Sequence, residues 1–463
     1  MTAQTLTSPT NNHQADGKIQ ERKATRADQM YKFIERLYPI CRSITGEGLM
    51  ETLHQIREHI PVQIYQVPTG TKVFDWEVPR EWNIKDAYIM NSRGEKIIDF
   101  SNSNLHILNY SVPVCRNVSL TELKEHLHTL PEHPDWIPYR TSYYKEDWGF
   151  CVSYNQYKQL TDDRYEVHIN STLENGNLTY GELFIPGESQ EEVLLSTHIC
   201  HPSLCNDNLS GISVLTFLAK ALSAKKLHYS YRFLFLPGTI GAITWLSVNE
   251  SRTGNIRHGL IASLLGNGGA FIYKKSRRGD TEIDRIATEV LRLKSINYKV
   301  VDFTPYGYDE RQFCSPGFNL PIGCLSRSHY GQFPEYHTSA DDLNFIQPDA
   351  LESSLQMYLD ILLMLERNKK YINMNPKCEP QLGKRGLYDG IGGDNHSKEF
   401  QMALLWVLNF SDGNHSLLDI SKRSGIAFEL IAQSADRLEE AELLREVQTF
   451  TSLFNSSPYS LAR

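Results

Sequence analysis

No stretch of this sequence stays apolar for anything near the roughly 20 residues that carry a helix across a bilayer, and a membrane-spanning protein is not expected. No Cys-x-x-Cys pair occurs either. The eight cysteines (Cys41, Cys115, Cys151, Cys200, Cys205, Cys314, Cys324 and Cys378) are scattered. A chain of 463 residues needs no disulfide staples, so a reducing cytoplasm is the expected setting. An excess of positive charge is missing as well. Lys and Arg number 47 against 55 Asp and Glu, a net charge of -8, which argues against a protein that lives on nucleic-acid phosphate or anionic lipid. The first 29 residues lack the apolar segment of a secretory signal and read as a disordered leader, with folded chain from Met30. Internal repeats and low-complexity tracts are absent beyond that leader. What remains is a globular balance, 40% hydrophobic and 22% charged. At ~100–200 residues per domain, the length allows two to four domains.

The patterning divides the chain. Tyr31, Phe33, Ile34, Leu37 and Ile40, then Met50, Leu53 and Ile56, have helical spacing on either side of the loop CRSITGEG at 41–48. From 62 to 173 short alternating runs are separated by Pro, Gly and Asn, and Trp76, Trp82, Trp136 and Trp148 all fall there. This segment predicts a β-rich domain inserted into another one. From about Tyr180 to Asn368 strands alternate with helices: strands at 193–197, 231–236, 260–265, 298–303 and 322–326, helices at 211–224, 239–249, 283–293 and 348–365. Such alternation predicts an α/β domain, a mostly parallel sheet with helices on both faces in three α/β/α layers. Residues 30–61 and 174–380 together form this core. A linker, LYDGIGGDN at 387–395, precedes a module at 396–463 with helical runs at 400–410, 416–424 and 427–440 and a short β-prone tail, the pattern of a winged helix.

In parallel sheets ligands gather at the carboxyl ends of strands, and the densest cluster of reactive side chains falls there. In STHICHPSLCNDNLSG (196–211) a strand ends at His198, and Asp207 lies just before a helix. Imidazole and carboxylate are good zinc ligands, and a catalytic zinc takes about three protein ligands. His337, in FPEYHTSADDL (333–343), supplies a third. His201, held extended by Pro202, is either a rival ligand or a group that supports the site or faces substrate. Cys200 and Cys205 read as small buried hydrophobes. In the loop YGYDERQ, Asp309 and Glu310 are candidate proton acceptors beside Glu335, or holders of a substrate ammonium. Arg311 is a candidate bidentate grip on a substrate carboxylate, with Tyr308 beside it. A rigid hydrogen-bonded turn accounts for this loop equally well. Asp341 and Asp342 read as caps on the segment after Leu343. Lys274, Lys275, Arg277 and Arg278 read as a solvated basic face. Trp148, Tyr143 and Tyr144 read as aromatic core.

His-x-Cys followed by NDNLSG and a later YHTSADDL resembles the zinc aminopeptidase superfamily, the co-catalytic bacterial aminopeptidases and glutaminyl cyclases. More narrowly, YPICRSITGEG (38–48), RTSYYKEDWGFC (140–151), YKKSRRGDTEIDR (273–285) and YGYDERQFCSPG (306–317) are similar to a bacterial aminopeptidase-like family. Its members have an inserted β-rich domain and a C-terminal winged helix, and accompany polysaccharide or natural-product gene clusters. The resemblance spans everything after the leader. It implies that His198 is the first metal ligand, Asp207 the bridging carboxylate and His337 the last ligand. It also exposes departures: Gly238 stands where the general-base Glu is expected, Thr239 where a metal-binding Glu is expected, and Asn267 replaces an Asp.

Two ions ~3.5–4 Å apart need several carboxylates to offset their charge. This set offers one, so a single zinc per chain is expected. The implied function is a zinc-dependent aminopeptidase-like hydrolase of a small peptide or aminoacyl amide with an altered general base. A non-hydrolytic acyl-transfer, cyclising or amide-forming enzyme and a catalytically silent pseudopeptidase with an adaptor winged helix are the alternatives. Between 396 and 446 nine acidic residues face five basic ones, with Glu429, Asp436, Glu439 and Glu440 against Arg437 on the would-be recognition helix. That argues against nucleic acid and for a protein partner or a homo-oligomer contact through this module.

Overall fold

The computed structural model describes residues 24–294, 297–387 and 395–447. Most of the expected leader, most of the expected linker and the residues beyond 447 lie outside the described residues. Thr25 closes a capping box with Asp28 and starts a helix at Arg26–Leu37, so ordered helix begins a turn earlier than Met30.

An eight-stranded sheet organises the core. Its strands are β1 (Gln63–Pro68), β2 (Asn177–Ile185), β3 (Glu192–His198), β4 (Ser230–Leu236), β5 (Ile256–Ala262), β6 (Phe271–Lys274), β7 (Tyr298–Val301) and β8 (Ile322–Arg327). They lie side by side in the order β1-β2-β4-β3-β5-β8-β6-β7. The four central strands, β4-β3-β5-β8, are parallel. β3 is buried along its whole length, as its unbroken apolar run VLLST requires of a strand covered on both faces. The flanks are not parallel: β1 and β2 pair antiparallel, β2 runs against β4, and β6 against β8. The sheet is therefore mixed rather than mostly parallel. Of the strands that make it so, β2 and β6 were not among the expected ones, while the run at 62–67 was expected as a strand of the inserted domain and instead pairs into the core sheet as β1. The helices Ser210–Leu222 and Pro348–Arg367 contribute Leu215, Leu218, Leu355 and Tyr358 to one hydrophobic cluster with Leu195 of β3. Trp245 of the helix Ile240–Val248 belongs to a second cluster, with Leu194 and Leu234.

A buried ion cluster ties the central strands to the flank. Arg232 of β4 holds both oxygens of Glu192 on β3, at 2.7 and 2.9 Å, and also binds Glu182 on β2, which in turn accepts the Trp245 indole N–H at 2.8 Å. Arg232→Met strands two carboxylates in the interior, and breaking such a cluster costs about 3 kcal/mol or more. A urea melt is expected to show a lower midpoint at unchanged slope; a midpoint equal to wild type would contradict this role.

Between β1 and β2 the chain builds a separate four-stranded antiparallel sheet from Glu81–Met90, Lys96–Asp99, Val114–Ser119 and Arg164–Glu174. The excursion thus starts after β1, whose residues 63–68 belong to the core sheet. At the other end, Lys370–Asn373, taken from sequence as core, pairs with Asp412–Ser416 and Leu444–Glu446 in a three-stranded sheet. That sheet carries the helices Asn395–Phe410, Leu417–Ser424 and Phe428–Glu440. The module lies against the core through Arg367–Asp436 at 2.7 Å, through Arg285–Asp419, and through Asn368, which accepts the Leu418 N–H.

Candidate metal centre

β3 delivers His198 at the carboxyl edge of the sheet. The chain then loops and re-enters through a π-helical turn at Cys205–Leu209, where Asp207 and Asn208 leave helical geometry before the helix Ser210–Leu222. Irregular turns of this kind recur at functional sites. Here it turns the Asp207 carboxylate back toward the strand end. His198 Nε2 stands 2.9 Å from Asp207 Oδ1, and His337 Nε2 stands 3.0 Å from Asp207 Oδ2. A ring nitrogen of His201 and the ligand atoms of His198 and Asp207 all lie within 4.8 Å of one another. His198 is 3% exposed and Asp207 is fully buried.

Burial opposes charge on Asp207, yet the surrounding imidazoles His201, His198 and His337 hold its carboxyl well below the usual range. Burial holds His201 neutral, its pKa well below the ordinary imidazole value. Asp207 Oδ2 and His337 Nε2 are close but not aligned as a hydrogen bond, and both are buried without another partner among the described residues. Two adjacent donors that do not aim at each other fit a common third point. A carboxylate between imidazoles is a donor set that zinc accepts.

The supports of this cluster were only partly visible in the sequence. Asp341 does not cap the following segment. It is fully buried, and its two oxygens accept the backbone N–H groups of Asn206 and Asp207 at 2.6 and 2.9 Å. Burial pushes its carboxyl up to about 8, against the pull of those two donors. Asp342 alone keeps a capping role, accepting the N–H groups of Asn344 and Phe345. Asn208 donates to Thr197 Oγ1 at 2.7 Å and to the His198 carbonyl at 3.0 Å, fixing the strand end. Arg42, from the CRSITGEG loop, is fully buried and donates through Nε to the His201 carbonyl at 2.8 Å. The inserted segment reaches in as well: the Tyr139 N–H donates to the His337 carbonyl at 2.8 Å, and its ring lies 5.1 Å from His201 and 5.2 Å from His337. Asn208 and Asp341 sit inside motifs already marked, so adjacency was their only signal. Arg42 likewise lies inside the marked segment 38–48, and for Tyr139 the sequence offered none.

The departures have structural occupants. After β4, Gly238, Thr239 and Ile240 form a γ-turn of the rare hand: Thr239 has φ 64° and ψ -74°, and the Ile240 N–H donates to the Gly238 carbonyl at 2.9 Å. Strain of this sort collects at functional sites. Two residues of the YGYDERQ loop clamp it. Asp309 accepts the Thr239 N–H at 2.7 Å, and Arg311 Nη2 donates to Thr239 Oγ1 at 3.3 Å. Burial pushes the Asp309 carboxyl up to about 6. Tyr308, next along, stacks on the His198 ring at 5.1 Å. The Gly238 N–H donates to Cys200 Sγ, whose thiol burial pushes up to about 12.

Glu310 points elsewhere. Its carboxylate binds the buried Lys274 ammonium at 2.7 Å, so the expected proton acceptor is an internal counter-ion, and the expected solvated lysine is interior. Glu335 is half-buried, with its carbonyl accepting from Thr338. Asn267 spends its amide on Ser328 Oγ and the Gly269 N–H and is committed to its own loop.

Known proteins share the fold and domain order of this chain. The family described as "Domain of unknown function (DUF4910)" matches residues 31–368, and a winged helix-turn-helix family matches residues 369–446. A Clostridium acetobutylicum protein named "Putative polysaccharide biosynthesis protein with aminopeptidase-like domain" is 56% identical over 90% of this chain and 96% of its own length. A crystal structure from the same organism is 55% identical, with a TM-score of 0.85 over 91% of this chain and 96% of that one. A zinc aminopeptidase from Bacillus subtilis, 10% identical, superposes with a TM-score of 0.54 over 73% of this chain and 95% of that one, which shows a shared fold. On an aminopeptidase-like α/β core followed by a winged helix-turn-helix, this chain belongs to the DUF4910 family.

Proposed function

We propose that the protein is a zinc-dependent, aminopeptidase-like hydrolase of a small peptide or aminoacyl amide with a free amino group. One ion would be held by His198, Asp207 and His337. The observation that carries this reading is the convergence of two imidazoles on the two oxygens of one buried carboxylate. When bound, zinc supplies Lewis-acid polarisation of the amide carbonyl. The remaining work falls to the chain. Asp309, buried against the Thr239 N–H with its carboxyl near 6, takes the proton of the attacking water in place of the missing Glu. Arg311 holds an anionic group of the substrate, and His201 and Tyr308 wall the reacting centre. Gly238 also supports a second reading, an acyl transfer that avoids hydrolysis; turnover that requires an added amine acceptor would select it. The name of the Clostridium acetobutylicum relative, a putative polysaccharide biosynthesis protein, supports a substrate drawn from polysaccharide chemistry. The acidic winged helix is read as a protein contact rather than a DNA reader, in a cytoplasmic enzyme.

Elemental analysis of protein purified without chelators or a metal-binding tag tests the metal reading. About one zinc per chain is expected, retained in His201→Ala and lost in His198→Ala. Two would require carboxylates outside this set, and none after added zinc would leave a binding module.

A further inference from the structure

Aromatic side chains form a continuous path outward from the cluster. Tyr139 touches His201 and His337, and its hydroxyl meets the Tyr143 hydroxyl at 2.9 Å. Tyr143 contacts Tyr144 with ring centroids 6.2 Å apart, and Tyr144 meets Trp76 edge-to-face at 5.2 Å. The path therefore leaves the buried centre and ends on rings in solvent: Tyr144 is 51% exposed and Trp76 41%. Neither ring belongs to an aromatic core, which was the sequence expectation for Tyr144.

Two further features mark this rim. Tyr144 takes φ 67°, a left-handed conformation that bulky residues rarely adopt and that the fold holds at a cost. Its hydroxyl lies in the field of Cys200, Asp309 and Arg311, toward the cluster. Arg311 stands on the same side. Its Nε is buried and has no hydrogen-bond partner among the described residues, while Nη2 is tethered to Thr239. The guanidinium is anchored at one end, lies in the field of Asp309, and keeps a spare buried donor without an acceptor among the described residues.

Resting on the reading of the cluster as the reacting centre, we propose that Trp76, Tyr144 and Arg311 form a subsite for an acidic saccharide ring joined to the reacting amide. A pyranose presents a face of C–H bonds whose positive edges meet the negative face of an aromatic ring, and a ring half in solvent leaves the sugar hydroxyls hydrated. A carboxylate on that sugar completes Arg311 in charge-assisted hydrogen bonds. The inserted domain thereby selects the substrate, while the core holds the reacting group.

The test is calorimetric titration of the full-length protein, stripped of zinc. The probes are a tetrasaccharide of alternating glucuronate and N-acetylglucosamine, a neutral N-acetylglucosamine tetrasaccharide, and a phenylalanine-containing tetrapeptide. The acidic glycan is expected to bind roughly tenfold tighter than the neutral one. Trp76→Ala should weaken it roughly tenfold, and Trp76→Phe should restore it to within about threefold. Arg311→Gln should erase the preference for the acidic probe. Binding of neither glycan, indifference to Trp76→Ala, or tighter binding of the tetrapeptide with the same Trp76 dependence would overturn the subsite. Because zinc is absent from the titration, its outcome is independent of the zinc count: glycan binding by a chain that takes up no zinc keeps the subsite and removes the metal reading.

Discussion

Asp207→Ala is expected to abolish zinc binding, with stoichiometry falling from about one per chain to near zero and affinity by ~10²-fold or more. Asp207 is the carboxylate that both His198 and His337 approach, at 2.9 and 3.0 Å, and the sole carboxylate among the proposed ligands. Its removal leaves two imidazoles without the charge that offsets a divalent ion. The loop itself should survive. Asp341 holds the backbone N–H groups of residues 206 and 207, an arrangement independent of the Asp207 side chain. Far-UV circular dichroism should therefore match wild type while elemental analysis does not. Zinc retained at full stoichiometry in a folded variant would sink the ligand assignment.

Asp309→Asn is expected to lower kcat by ~10²–10⁴-fold with zinc content unchanged, the loss typical of removing a general base. The amide can still accept the Thr239 N–H, so the turn after β4 keeps its shape and the change is confined to proton transfer. The pH profile carries a second signature. Burial raises the Asp309 carboxyl to about 6, and a base works only when ionised, so wild-type kcat should fall as pH drops through about 6. The variant should lack that limb. Stability moves the other way. A carboxyl raised above its unfolded value contributes most below the ordinary carboxylate range and loses that contribution as pH rises through about 6. Above pH 6 the neutral variant is therefore expected to melt no lower than wild type, and an inactive, undiminished protein is the combination to look for. Should Glu335→Gln rather than Asp309→Asn lose activity, the base belongs to the loop before His337.

How much was legible depended on whether the signal was local. The central strands announced themselves because a strand covered on both faces must be apolar throughout, as in VLLST before His198. The run of β1 was legible as a strand but not as part of the core, and β6 was missed because four residues carry neither alternation with helices nor a long apolar run. The candidate ligands His198 and Asp207 were readable since ten residues of dense His, Cys and Asp at a strand end are rare by chance. His337 was only a candidate third ligand from its residue type, and the resemblance strengthened its link to them. Glu310 and Lys274 misled for one reason: 36 residues apart, they read as a site group and a surface cation, and only their meeting in the interior makes each the other's counter-ion.

The sequence by itself determined the α/β core, the β-rich excursion, the winged helix and the residue types able to hold a metal. These follow from periodicity and side-chain chemistry, which are properties of short stretches. Only the tertiary structure decided what surrounds the cluster: that Asp341 grips the Asp207 loop, that Asp309 and Arg311 clamp Thr239 where acidic residues were expected, and that tyrosines of the inserted domain extend from His201 to the solvent at Trp76. Those relations join residues tens to hundreds of positions apart. They are set by how the strands order in the sheet and where the excursion folds back, and no local pattern encodes that.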